Sequence, residues 1–164
     1  MIREMKDIIQ MFIENGREGD AFAESARWGE FEILKDMLAR GIPIDGKAGN
    51  GATALMHAAS GGQTRIVEYL LKHGADLNIS ADDHCRTALM SCLAALHKEG
   101  KYLVILQLLL DAGADPNLRD RVGRTALDYA QERNSEEISC LLKSKMAGTD
   151  KRESKSSSDA SKSN

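Results

Sequence analysis

Aromatic residues are scarce in this chain of 164 residues, at 4% Phe, Trp and Tyr. A compact globule usually buries more of them, so the scarcity points to an interior packed with Ala, Leu and Ile. Cysteines number three, an odd count that argues against a disulfide framework and for a reducing compartment. The longest apolar run, Tyr102 to Leu110, is too short to span a bilayer. No secretory signal is expected either, because Arg3, Glu4, Lys6 and Asp7 interrupt the start before any useful apolar stretch. These absences lead to the expectation of a cytoplasmic chain. There is no basic excess either: the formal net charge is −3, which, without interleaved aromatics, disfavours nucleic-acid binding.

Catalytic and metal signatures are lacking too. His57, His73, His84 and His97 do not cluster, and no Gly-rich phosphate loop or His-Glu-x-x-His pattern occurs. The set His84-Cys85, Cys92 and His97 has zinc-ligand residue types at the wrong spacing. Paired carboxylates, Asp82-Asp83 and Glu136-Glu137, fall at turns or helix starts, where capping and the helix dipole favour acids. The expectation is a chain that is not an enzyme and holds no cofactor or metal.

What is present is a repeated phrase. Thr53-Ala-Leu-Met-His-Ala-Ala is followed by Ile66-Val-Glu-Tyr-Leu-Leu-Lys-His-Gly-Ala-Asp-Leu-Asn78. The order returns from Thr87 to Asn117 and from Thr125 to Leu142, with a blurred copy from Phe22 to Asp45. Asp20, Thr53, Thr87 and Thr125 lie 33, 34 and 38 residues apart, a period near 33 with one insertion in the third unit. Each Thr precedes an apolar run, where its hydroxyl can accept from the amides of a first helical turn. Ala58-Ala59 gives that helix a thin face, and Cys92 and Ala130 are the equivalent small positions. Ile66, Val67, Leu70 and Leu71 recur at helical spacing, and Gly41, Gly74 and Gly113 end such helices. Ala-Asp-x-Asn then favours a turn. No unit buries both of its faces alone, so stacking has to supply the core.

The period and this wording resemble the ankyrin repeat over about residues 20 to 143. The resemblance implies an all-α solenoid of helix-turn-helix units joined by hairpin-like loops, with units at about 17–47, 48–80, 81–119 and 120–143. Residues 1–16, with Met5, Ile8, Ile9 and Phe12 on one face, are expected to form a capping helix, or alternatively a partner-binding or dimerising one. Residues 144–164, rich in Ser and Lys, are expected to be a disordered tail. The pattern also departs from the family's. Ala54, Ala88 and Ala126 replace the usual Pro, and Met56, Met90 and Asp128 replace the usual His that ties adjacent loops, which predicts looser loops. Cys85 stands where Gly is expected, making the third unit the weak or adapted one.

In proteins similar to this one, loop tips and the exposed side of each first helix line a concave groove that binds protein partners. Carried over by position, that groove comprises Arg27 and Trp28, then Lys47, Asn50, Ala52 and Ser60. The third unit adds Ser80, Asp83, His84 and Arg86, and the fourth adds Arg119, Arg121, Arg124, Glu132 and Arg133. Seven of these fifteen residues are basic, so the expected partner offers an acidic segment to a monomeric, non-enzymatic scaffold. The alternative is an inhibitor or regulatory subunit that blocks an enzyme through the same groove. Trp28 is either an exposed anchor or packed on the N-terminal helix. The insertion, within Leu93 to Tyr102, either serves binding or merely lengthens a helix.

Overall fold

The computed structural model describes the backbone over residues 2–95 and 99–156, and side chains over 6–95 and 102–146. Nine helices follow one another among the described residues: α1 (Ile2–Glu14), α2 (Glu18–Trp28), α3 (Phe31–Ala39), α4 (Ala54–Gly61), α5 (Thr64–Lys72), α6 (Ala88–Ala94), α7 (Glu99–Asp111), α8 (Ala126–Glu132) and α9 (Glu136–Ser156). They form an all-α solenoid. The first helices of the units, α2, α4, α6 and α8, stack in sequence, and the second helices lie behind them, with α5 against α7. No described helix is long and apolar enough to cross a membrane.

Local chemistry sets these elements. Thr53 and Thr87 are extended N-caps whose hydroxyls accept from the Met56 and Met90 amides, each at 3.4 Å. Thr125 is held instead by Asp128, whose carboxylate accepts from the Thr125 amide and hydroxyl at 2.7 Å. Asp20, the period marker of the first unit, does not start its helix, because α2 begins at Glu18. Its carboxylate accepts from the Gly49 amide at 3.0 Å, tying the first helix to the second loop. Gly41, Gly74 and Gly113 follow α3, α5 and α7 with φ between +84° and +98°. An L side chain there is strained, so each helix stops.

The stacking surface is thin where it has to be. Ala58 and Ala59 are fully buried, and a Cβ added at Gly61 would run into the Arg27 carbonyl of α2. Phe22, Leu34, Leu55, Ile66, Leu70, Leu89, Leu93, Ile105, Leu106 and Leu109 complete the core. Leu71 is only partly buried, since the helix turns it past the stripe carried by Leu70. On α1, Ile9 is buried and Phe12 and Ile13 pack against the core, whereas Ile8 is exposed. The buried stripe of that helix is therefore rotated from the face read off the sequence, and α1 packs on α2.

The loops are tied by groups other than the missing His. Asp76 donates its amide to the Asp45 carboxylate and Asp115 donates to the Asn78 side chain, each at 3.0 Å. The Arg121 amide reaches the His84 carbonyl at 3.0 Å. Each loop thus grips the next, which contradicts the expectation of looser loops. Part of the third-unit insertion extends α7 to 13 residues against nine in α5, while residues 96–98, which include His97 and Lys98, lie outside the described residues. Tyr102 of this extension donates its hydroxyl to the Ser60 carbonyl at 3.3 Å, bracing units two and three. The segment expected to be a tail from Ser144 is helical over 144–156, where Lys145 pairs with Asp111 at 2.7 Å. Lys, Ala, Met and Glu in that stretch are good helix formers. Residues 157–164 lie outside the described residues.

Candidate functional site

The first helices, α2, α4, α6 and α8, stack side by side. Between the second and third units, with Arg27 of the first unit at its edge, lies a pocket of about 310 Å³. Seven predicted residues line this pocket: Arg27, Asn50, Ala52, Ser60, Asp83, His84 and Arg86. Met56, His57, Ala81, Ser91, Ala94 and Ala95 line it too, and sequence reasoning missed them. Helical spacing held the signal for some of these: Met56 and His57 stand four and three residues before Ser60, and Ser91 occupies the third-unit position of His57.

The other eight predicted residues lie outside this pocket, and all five basic ones among them have internal bonds. Lys47 pairs with Asp82 and reaches the Ser80 carbonyl. Arg124 pairs with Asp120 at 2.9 Å and with Glu132 at 3.2 Å. Those two cations are neutralised. Arg119 donates to the Gly123 carbonyl at 2.7 Å, Arg121 to the Asp83 carbonyl at 3.3 Å, and Arg133 to the Ala94 carbonyl. Within the pocket, Arg86 donates to the Tyr129 hydroxyl at 2.8 Å. Trp28 is 46% exposed at the end of α2, with the Arg27 guanidinium 5.7 Å from its ring centroid. Val122, absent from the predicted set, is the most exposed of the large apolar side chains described, at 73%.

The fourth loop is the most heavily bonded. Asp120 is buried and accepts from the Val122 amide at 3.0 Å, the Arg124 amide at 2.8 Å, the Arg124 Nε at 2.9 Å and the Tyr129 hydroxyl at 2.8 Å. Burial opposes ionisation, but these hydrogen bonds outweigh it and hold the carboxyl down at about 2. His57, on the pocket floor, behaves in the opposite way. Desolvation lowers its pKa, Glu24 pulls it back up, and Arg27 pushes it down, leaving it below the usual 6.5. Burial thus favours the neutral form of the imidazole. Cys92 is a buried core thiol pushed up to about 12 by desolvation. No group of three or more His, Cys, Asp or Glu among the described residues could hold a metal ion.

Stacked helix pairs and loops that grip one another define a repeat scaffold. The chain belongs to the ankyrin-repeat family: a family model described as ankyrin repeats in three copies matches residues 22–120. The α8–α9 pair lies beyond the matched span and stacks in the same manner. An ankyrin repeat-containing protein of Treponema pallidum is 32% identical over 145 residues, covering 83% of this chain and 47% of that protein. The ankyrin repeat, SAM and basic leucine zipper domain-containing protein 1 of Mus musculus is 34% identical over 113 residues, covering 69% of this chain and 23% of that protein. Its Bos taurus counterpart is 34% identical over 111 residues, covering 68% and 23%. The chain thus spans about half the length of the first relative and about a quarter of the other two. Its repeats form a protein–protein interaction module.

Proposed function

We propose that the concave groove recognises an acidic segment of a protein partner, acting as a non-enzymatic scaffold. One observation carries this reading. Among the described residues, the guanidinium groups of Arg86, Arg119, Arg121 and Arg133 are held by a hydroxyl or by backbone carbonyls and have no carboxylate within 4.0 Å. Such bonds fix a cation in place without cancelling its charge. A partner carboxylate thus meets cations that are already oriented, which lowers the ordering cost of binding and steers its approach. Lys47 and Arg124 contribute shape and loop rigidity instead.

The test is fluorescence anisotropy with a labelled peptide of alternating glutamate and glycine, at low and high salt. Saturable binding that weakens with salt and is lost in an Arg119→Glu, Arg121→Glu variant of unchanged helical circular dichroism supports the reading. Equal binding by that variant, or no binding by the parent, overturns it.

A further inference from the structure

The floor of the pocket between the second and third units holds an imidazole with an unusual neighbourhood. His57 is 8% exposed, and its Nδ1 is buried without a hydrogen bond. A single carboxylate oxygen, Glu24 Oε1, stands 3.8 Å from that Nδ1 and 4.0 Å from Arg27 Nη1. Both separations exceed hydrogen-bond length, so Glu24 stands between the Arg27 guanidinium and an uncharged imidazole and is hydrogen-bonded to neither. Asp20, the next acid toward His57 on α2, is already engaged by the Gly49 amide and Arg17. From the third unit, Arg86, His84 and Asp83 line the same pocket.

We infer that one carboxylate side chain of the partner segment enters this pocket, draws Arg27 away from Glu24, and thereby makes His57 take up a proton from solvent, so that Glu24 gains the imidazolium as its ion-pair partner. This inference rests on the groove reading above and adds a proton to it. The charges balance. One incoming carboxylate is matched by Arg27, Glu24 exchanges Arg27 for the imidazolium, and the added negative charge is offset by the proton taken from solvent. Without a ligand the desolvated ring stays neutral. An anion a few ångströms away favours its charged form, so recognition is tighter at lower pH.

The test measures affinity of the full chain for the same glutamate–glycine peptide at about pH 7.5 and about pH 6, a window in which imidazoles titrate and isolated carboxylates do not. Binding is expected to tighten by up to about tenfold per pH unit, the limit for one proton. Calorimetry in buffers of different ionisation heat should register proton uptake, and the slope should flatten in His57→Gln and in Glu24→Gln. If His57→Gln does not fold, the ring of His57 is titrated by NMR in the parent chain, where added peptide must raise its pKa. Binding without a pH slope, a slope that vanishes in His84→Gln instead, or an unmoved His57 titration overturns this inference and leaves the groove reading intact. Absence of binding at every pH overturns both.

Discussion

Replacing Asp120 with Asn tests how the last unit is held. The parent carboxylate is buried and collects four hydrogen bonds, two from backbone amides, one from Arg124 Nε and one from the Tyr129 hydroxyl. Its carboxyl sits at about 2 against an ordinary 3.8. Taken alone, that difference is linked to about 2 kcal/mol of stability, which solvent screening at the edge of a loop reduces to about 1 to 2 kcal/mol. Asn keeps one acceptor oxygen but turns an amide donor toward other donors, and it leaves the Arg124 guanidinium without its nearest counter-charge. The expected loss is about 2 kcal/mol at pH 7. Because the folded pKa is depressed, the parent's advantage is full above about pH 4 and fades as pH falls toward about 2. Urea titrations of both chains, followed by helical circular dichroism at neutral pH and near pH 2, measure the gap. The loss should appear as early melting of α8 and α9, since a terminal unit is held by one neighbour only. Equal stability at pH 7, or a gap that persists unchanged near pH 2, would refute the reasoning.

Three further outcomes are expected. Cys85 adopts φ +51°, a left-handed conformation costly for a side chain, so Cys85→Gly should stabilise the chain by about 0.5 to 1 kcal/mol in thermal melts, and a loss of stability contradicts this. Gly61→Ala places a methyl against the Arg27 carbonyl and should cost about 1 to 3 kcal/mol by forcing α4 away from α2; unchanged melting would show that the helices have slack. Cys140 is exposed, Cys85 partly buried and Cys92 fully buried with its thiol at about 12, so a thiol reagent should label them in that order, with Cys92 reacting only on unfolding. Rapid modification of Cys92 in the folded chain would contradict its place in the core.

Much of what is local was legible in the sequence, although the helix continuing over 144–156 was not. The period, the Thr caps, the Ala-Ala pairs and the glycine stops each act within a turn or two, so Thr53, Ala58 and Gly74 announce their roles through near neighbours alone. The small position of Cys92 was equally readable by alignment within the chain. The fate of the charges was not. Lys47 and Asp82 are 35 residues apart, and Arg121 reaches the Asp83 carbonyl across 38. Which cations are cancelled and which are merely held depends on how neighbouring loops register, a property of the stack. The same holds for Ile8 and Leu71, whose periodicity suits a buried stripe but whose azimuth is set by the helix packed beside them. His57 shows the division most clearly. Its place on a helix was evident, but its burial beneath the groove and its position opposite Glu24 and Arg27, about one repeat earlier in the chain, arise only when α4 packs on α2 and the desolvated ring meets charges brought there by another unit.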